Sequence, residues 1–375
     1  MPRRAKTEAQ QEEGSKALSR DVIASIENAV FSAKTIVNMA IYAVLEAPQE
    51  LYFGSHSEKG LNVLEKVEID TEVVEDGKTV PVRITKPYFS PTKQRGIERR
   101  AIAYSLVKTG DGKLVPYYKY FNLSIDVTNT YPNGYPNPRD ILTFLWGATW
   151  TQPAAYIRGR VGYGGGVAIQ GTFERKQRNR VEYNMYEITK KEGESEEETA
   201  QMLWMKEYAE PHLLIPVVRH GMLLGVDNYE PHAMAYAFLQ GLQIAGAGTP
   251  KGIDILEAYW LSKNEKEKDE KEKVLVVDVG CWLLPDPVTI SPVILSPVQA
   301  LEEFKKKALK HPLFKESEPS KVFEEVKKGP AVRLVGNTAY EFLRKLANGF
   351  VENYLENIEK LSIPRVGALQ AQTKQ

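Results

Sequence analysis

The chain has 375 residues, enough to bury a sizeable core as one elaborated domain or as two to three smaller ones. Its apolar content of 42% is ordinary for a soluble globular protein, and no stretch approaches the roughly 18 apolar residues of a membrane-spanning helix. A single cysteine, Cys281, excludes an internal disulfide and fits a cytoplasmic protein, while 49 Lys and Arg balance 49 Asp and Glu.

Residues 1–20 are polar and mixed in charge without an apolar h-region, and read as a disordered leader rather than a signal peptide. Asp21 to Ala33 reads as a short helix leading into a β-branched, apolar strand at Thr35 to Leu45. Val67 to Val74 and Thr79 to Ile84 flank Glu75-Asp76-Gly77-Lys78 and predict a hairpin, because Asp and Gly supply positive φ at tight turns. Arg83 to Arg100 carries Pro87, Pro91 and Gly96, and reads as an extended or looped arm. Ile102 to Val107 and Leu114 to Phe121 predict a second hairpin, with Tyr118 and Tyr120 on one strand face and core packing the plain reading for both. Asn129 to Arg139 is a loop by composition, Ile141 to Trp146 starts a short helix or strand, and Lys190 to Thr199 is an acidic solvated stretch.

The second half is more regular. Leu213 to Val218 is a strand candidate and Pro231 to Ala245 an amphipathic helix, with Pro231 at its first position. Asn264 to Lys273 is a surface excursion of alternating charge, followed by a buried strand at Val274 to Trp282. Gln299 to Lys310, Ser320 to Lys328 and Thr338 to Leu361 are helices, the last with a Thr338/Glu341 capping box. This order predicts an α+β fold: a ferredoxin-like or RRM-like βαββαβ core with large insertions and C-terminal helices. The core falls on residues 21–47 and 211–298, insertions on 48–210, and a helical region on 299–375.

The neutral total hides a segregation. Between Pro81 and Arg180 there are sixteen Lys and Arg against five Asp and Glu, with fifteen of the thirty-six aromatic residues. Cations that neutralise phosphates beside rings on which bases stack are the chemistry of single-stranded nucleic-acid binding. The basic cluster of Arg83, Lys86, Lys93, Arg95, Arg99 and Arg100 holds one acid, and the alternative for it is a solvated surface turn. A second cluster, Arg158, Arg160, Arg175, Lys176, Arg178 and Arg180, brackets six glycines in Gly159 to Gly171. Glycines let a ligand backbone approach closely, although a tightly packed glycine-rich strand pair is the alternative. Gly246 to Gly252, with Lys251 at its tip, reads equally as a phosphate-contacting loop or a helix cap and turn. No GxxxxGK[ST], HExxH or CxxC spacing is present. A structural zinc ion could still draw on His212, His220, His232 and Cys281, borderline-soft ligands suited to it, against the plainer reading of four ordinary side chains. His56, in a polar loop, is the candidate base for a ribonuclease, with no evident partner to complete that chemistry.

Three blocks carry a family resemblance: Thr35 to Asn62 (TIVNMAIYAVLEAPQELYFGSHSEKGLN), Lys93 to Leu106 (KQRGIERRAIAYSL) and Leu213 to Trp260. In order and pattern they resemble the backbone subunit of CRISPR type I-D surveillance complexes, a RAMP-superfamily RNA-binding protein. The resemblance covers residues 35 to 262 in separate patches. It implies a non-catalytic subunit whose copies line a single-stranded guide RNA, beside other CRISPR subunits, and leave bases to pair with target DNA, away from any membrane. Carried over by position, Lys93, Arg95, Arg99, Arg100 and the turn around Gly248 and Lys251 face RNA. The alternative within the superfamily is an endoribonuclease that processes precursor RNA. Two departures stand out. The paired cysteines that many relatives carry near Asn129 to Trp146 are absent, and so is the aromatic RNP pattern, so RNA would be held by insertions and loops. The dense Lys/Glu runs are also compatible with a thermophilic source.

Overall fold

In the computed structural model, the described residues are 33–58, 61–75, 77–123, 139–151, 154–170, 176–182, 202–245, 252–261, 270–282, 284, 287–310, 313–329 and 331–361. The elements that matter for the site are, in chain order, strands β1 (Ile36–Ala47), β2 (Lys66–Glu75) and β3 (Lys78–Pro87), then helices α1 (Pro91–Ala103) and α2 (Ile141–Trp146). There follow β4 (Val161–Gly165), β5 (Leu213–Gly225), α3 (Glu230–Gln243), β6 (Leu275–Gly280), α4 (Pro297–Leu309), α5 (Val322–Lys327), β7 (Ala331–Val335) and α6 (Gly336–Gly349).

The central sheet runs β4-β5-β1-β6-β7, and each neighbouring pair is antiparallel. Reading β1, α1, β4, β5, α3, β6 along the chain gives a ferredoxin-like βαββαβ unit with β1 and β5 in the middle. β7 and the short strand Phe314–Lys315 extend it beyond β6. β1 is buried on both faces, which is why its sequence is a near-continuous apolar run. Its odd residues Val37, Met39, Ile41, Ala43 and Leu45 pack with Ile97 of α1, Phe238 of α3 and Phe342 of α6. Its even residues Ala40, Tyr42 and Val44 pack with Trp260, Val288 and Phe304 of α4. The sheet face that an RRM uses for base stacking is thus covered over its centre, in keeping with the missing RNP pattern.

Several expectations need correction. The basic arm is not extended: it is the end of β3 followed by α1. Pro91 does not break that helix, because it occupies the opening turn, where its missing N–H costs no bond. Residues 91–103 and 161–165 also belong to the core, although 48–210 was expected to be insertion. The second hairpin shrinks to Leu106–Lys108 paired with Leu114–Pro116, and Tyr117–Tyr120 is a helical turn rather than a strand. The capping box at Thr338 is unused. Helix α6 starts at Gly336, where the Glu272 carboxylate accepts from the Asn337 N–H at 2.5 Å. Its expected continuation to Leu361 instead widens into a π-helical turn at Phe350–Leu355. The β2–β3 hairpin, β5, α3, β6 and α4 fall where the sequence places them. Residues 1–32, Asn129 to Asn137, Lys190 to Thr199 and the turn at 246–251 lie outside the described residues.

Candidate nucleic-acid interface

The structure sorts the expected cations by what already holds them. Arg83 pairs with Asp70 at 2.7 Å on the exposed β2–β3 hairpin. Lys86 is fully buried, and its Nζ donates to the carbonyls of Pro292 (2.7 Å) and Ile294 (2.6 Å). Burial holds its pKa down to about 8. It faces no solvent, so its assignment to RNA is corrected. Lys86→Met should leave RNA affinity unchanged while costing about 1–3 kcal/mol of stability in a denaturant melt, because two part-buried carbonyls lose their donor. Lys93 is half-buried against Glu65 at 2.6 Å. Arg160 is likewise occupied, forming a bidentate pair with the buried Glu230 at 2.5 and 2.9 Å and reaching the carbonyls of Phe144 and Leu223. Arg95 donates to the Trp146 carbonyl. The side chains of Arg175, Lys176, Arg178, Arg180 and Lys251, and that of His56 in the strand Gly54–Glu58, lie outside the described residues.

Three of the expected cations remain without an ion pair to a described residue and without a carbonyl to hold them: Arg99 and Arg100 on α1, and Arg158. Arg100 and Arg158 are exposed. Arg99 is partly buried, its Nε has no hydrogen-bond partner among the described residues, and burial and the neighbouring Arg95 bring its pKa down to about 10, with Tyr163 and Asp140 acting against them. A guanidinium held beside like charge gains from an incoming anion, since a phosphate would offset both penalties.

Tight backbone contact at the end of α2 brings the segment that carries Arg158 toward α1. The Arg95 bond to the Trp146 carbonyl ties α1 to that end. Gly147 then turns with φ +82°, and a Cβ there would sit 2.5 Å from the Ile157 carbonyl oxygen and 2.7 Å from the Gly159 nitrogen. Gly159 in turn has the Trp146 carbonyl oxygen 2.8 Å from its Cβ position. Side chains at either place would push apart the α2 end and the segment carrying Arg158.

The orientation of α1 is fixed from beneath by a buried network that the sequence did not reveal. Arg219 of β5 is fully buried under α1, its Nε donating to Glu98 and its Nη1 to Gln94 Oε1 at 2.5 Å. Tyr163 of β4 donates to the other Glu98 oxygen at 2.6 Å and accepts from Trp146 Nε1 at 2.5 Å. The Arg219 guanidinium lies 4.9 Å from the Tyr163 ring centroid and 5.4 Å from that of Phe238. Burial raises the Glu98 pKa, with Arg219 acting against it. With Glu98 facing inward, the outer side of α1 keeps only cations among its charged residues. A single acid inside a basic helix was the available signal for this network.

The four expected zinc ligands do not converge. His212 just precedes β5 and is exposed, with Glu46 Oε1 at 2.7 Å from its Nδ1. His220 lies eight residues further along the same extended chain, about 26 Å away at the rise of a strand, so the two cannot share an ion. Cys281 follows β6, exposed, and its Sγ lies 3.4 Å from the Val326 carbonyl. His232 of α3 packs against Tyr229 and Phe323, lining a recess of about 820 Å³ between α3, α5 and α6. Among the described residues no group of three or more His, Cys, Asp or Glu could hold a metal ion.

Burial holds the His232 pKa down to about 4, below the ordinary imidazole value. Its neutral form is therefore favoured by folding, and that contribution is present above pH 6.5 and lost as pH falls toward 4. A loss of about 2–3 kcal/mol between pH 8 and 4.5 is expected in denaturant titrations. His232→Phe should remove that acid-side dependence.

Fold and site together define an α+β protein with a ferredoxin-like core and a cationic face where its first core helix meets the end of α2. No family model matches the chain, and no curated protein matches it. Among solved structures, the Csc2 protein of Thermofilum pendens is similar over 89% of this chain and 92% of its own, at 12% identity and a TM-score of 0.34. A chain of a CRISPR RNA-guided surveillance complex is similar over 80% of this chain and 87% of its own, at 12% identity and a TM-score of 0.33. A chain of a type IV-B CRISPR complex is similar over 70% and 98%, at 8% identity and a TM-score of 0.25.

Proposed function

We propose that this protein is a non-catalytic, sequence-tolerant RNA-binding subunit, copies of which line the guide RNA of a cytoplasmic CRISPR surveillance complex of type I-D. The guide's bases would then pair with invading DNA while the subunits hold its backbone. The observation that carries the reading is that Arg99, Arg100 and Arg158, on segments joined at the end of α2, make no ion pair with a described residue. The patches of sequence resemblance at residues 35–62, 93–106 and 213–260 give the reading its biological setting. Phosphate contact explains why such charge is kept in solution, and reading the backbone alone explains tolerance of sequence.

The test mixes purified protein with unrelated single-stranded RNAs and with precursor CRISPR RNA. Similar affinity for every sequence, a steep fall with salt and intact RNA are expected. Cleavage of the precursor that disappears in His56→Ala would instead establish an endoribonuclease. Failure to bind any single-stranded RNA would overturn the reading.

A further inference from the structure

Just past the cationic cluster, the end of α1 and the Leu106–Lys108/Leu114–Pro116 hairpin present large apolar side chains to solvent. Tyr104 is 53% exposed, Leu106 51% and Leu114 63%. The hairpin register explains the exposure. Val107 points inward and is fully buried, so Leu106 and Lys108 point outward, with Leu114 opposite Lys108 and Pro116 opposite Leu106. The Tyr104 ring is met edge-on by Tyr118, at 6.2 Å between centroids and an angle of 89°. An edge contact of this kind steadies a ring without covering both of its faces. Lys119 lies 5.9 Å from the Tyr118 centroid, and Arg100 sits one helical turn before Tyr104 on the same side of α1. From residue 99 to 120 the chain has five cations, Arg99, Arg100, Lys108, Lys113 and Lys119, against one acid, Asp111. Asp111 is held by Lys113 at 2.5 Å.

An exposed aromatic-apolar surface with positive charge on its α1 side, the Glu359 carboxylate lying at the far turn by Gly110, suits a ligand that is flat and apolar in one part and anionic in another. We infer that Tyr104 is a stacking platform for a nucleobase of bound single-stranded RNA, with Arg99 and Arg100 taking the adjoining phosphates. This rests on the RNA-binding reading and adds to it a base contact, at a site apart from the sheet face. The Tyr104 ring supplies the stacking surface, Tyr118 sets its orientation, and Leu106 borders it. Stacking accepts any base, which agrees with a sequence-tolerant protein. An acidic partner protein with an apolar contact surface is the other ligand such a face could meet, and the test separates the two.

Parent, Tyr104→Ala and Tyr104→Phe proteins are titrated with a single-stranded RNA and with an abasic oligonucleotide of equal length and charge, over a range of salt. For the RNA, Tyr104→Ala should bind about 5- to 100-fold more weakly than parent, the loss of one aromatic stack. Its salt slope should not change, since no charge is removed, and Tyr104→Phe should bind as parent does. On the abasic strand, parent and Tyr104→Ala should be equal. Equal affinity of parent and Tyr104→Ala for RNA would overturn the stacking role while leaving the RNA-binding reading intact. Loss of self-association or of a protein contact in Tyr104→Ala, with RNA affinity unchanged, would overturn it in favour of a protein interface. A parent protein that binds neither strand would overturn both.

Discussion

Arg219→Met should lower the unfolding free energy by about 3–5 kcal/mol, the expected loss when one partner of a buried ion pair is removed and the other stays. Arg219 is fully buried, and it holds Glu98 and Gln94 of α1 against β5. Without it, Glu98 keeps only the Tyr163 hydroxyl as a described side-chain partner, in a setting that already raises its pKa. A carboxyl whose folded pKa lies above its unfolded value stabilises the fold at low pH and loses that contribution as pH rises. The variant should therefore be less stable at pH 8 than at pH 5, more steeply than the parent. Arg219→Met combined with Glu98→Leu should recover much of the loss, because two apolar side chains leave no unpaired charge. Urea melts of the three proteins at both pH values measure this. A single variant as stable as the parent would mean that the pair does not hold α1.

The second large effect is on binding. Replacing Arg99, Arg100 and Arg158 together with Ala should weaken single-stranded RNA binding on the order of 100-fold, for every sequence alike. With three phosphate-neutralising cations removed, the slope of log affinity on log salt for a single strand should fall by about 2. All three side chains are at least partly exposed, so the variant should fold with parental stability. Arg83→Ala is the matched control: it removes a cation already paired with Asp70 and Glu68 and should change affinity little. An equal loss in the control would show that overall charge, rather than this face, governs binding.

The elements that were legible from the sequence share one property: a hydrophobic period unbroken by structure from elsewhere. β1, β5, β6 and α3 announce themselves this way. α1 did not, because Pro87, Pro91 and Gly96 look like breakers in one dimension. In the fold, Pro91 opens the helix and Gly96 lies beneath the Arg100 guanidinium, 3.4 Å from its Cβ position. β7 was missed because Arg333 interrupts a five-residue run. Only the opposing Asp278 on β6, bound through both oxygens at 2.7 Å, makes that arginine a buried residue. The charge excess was legible as a total but not as a site. Arg160 finds Glu230 70 residues away, and Lys86 finds its carbonyls 206 and 208 residues away. Partners at such distances leave no local pattern, so the free cations could be told from the occupied ones only in three dimensions.

The most direct measurement is photocrosslinking of the protein to single-stranded RNA, followed by peptide mapping. Crosslinks are expected in peptides spanning residues 91–108 and 147–160, reduced in the Arg99/Arg100/Arg158→Ala variant. Crosslinks absent from both peptides, and confined to the β2–β3 hairpin or to the helices after residue 297, would contradict this assignment.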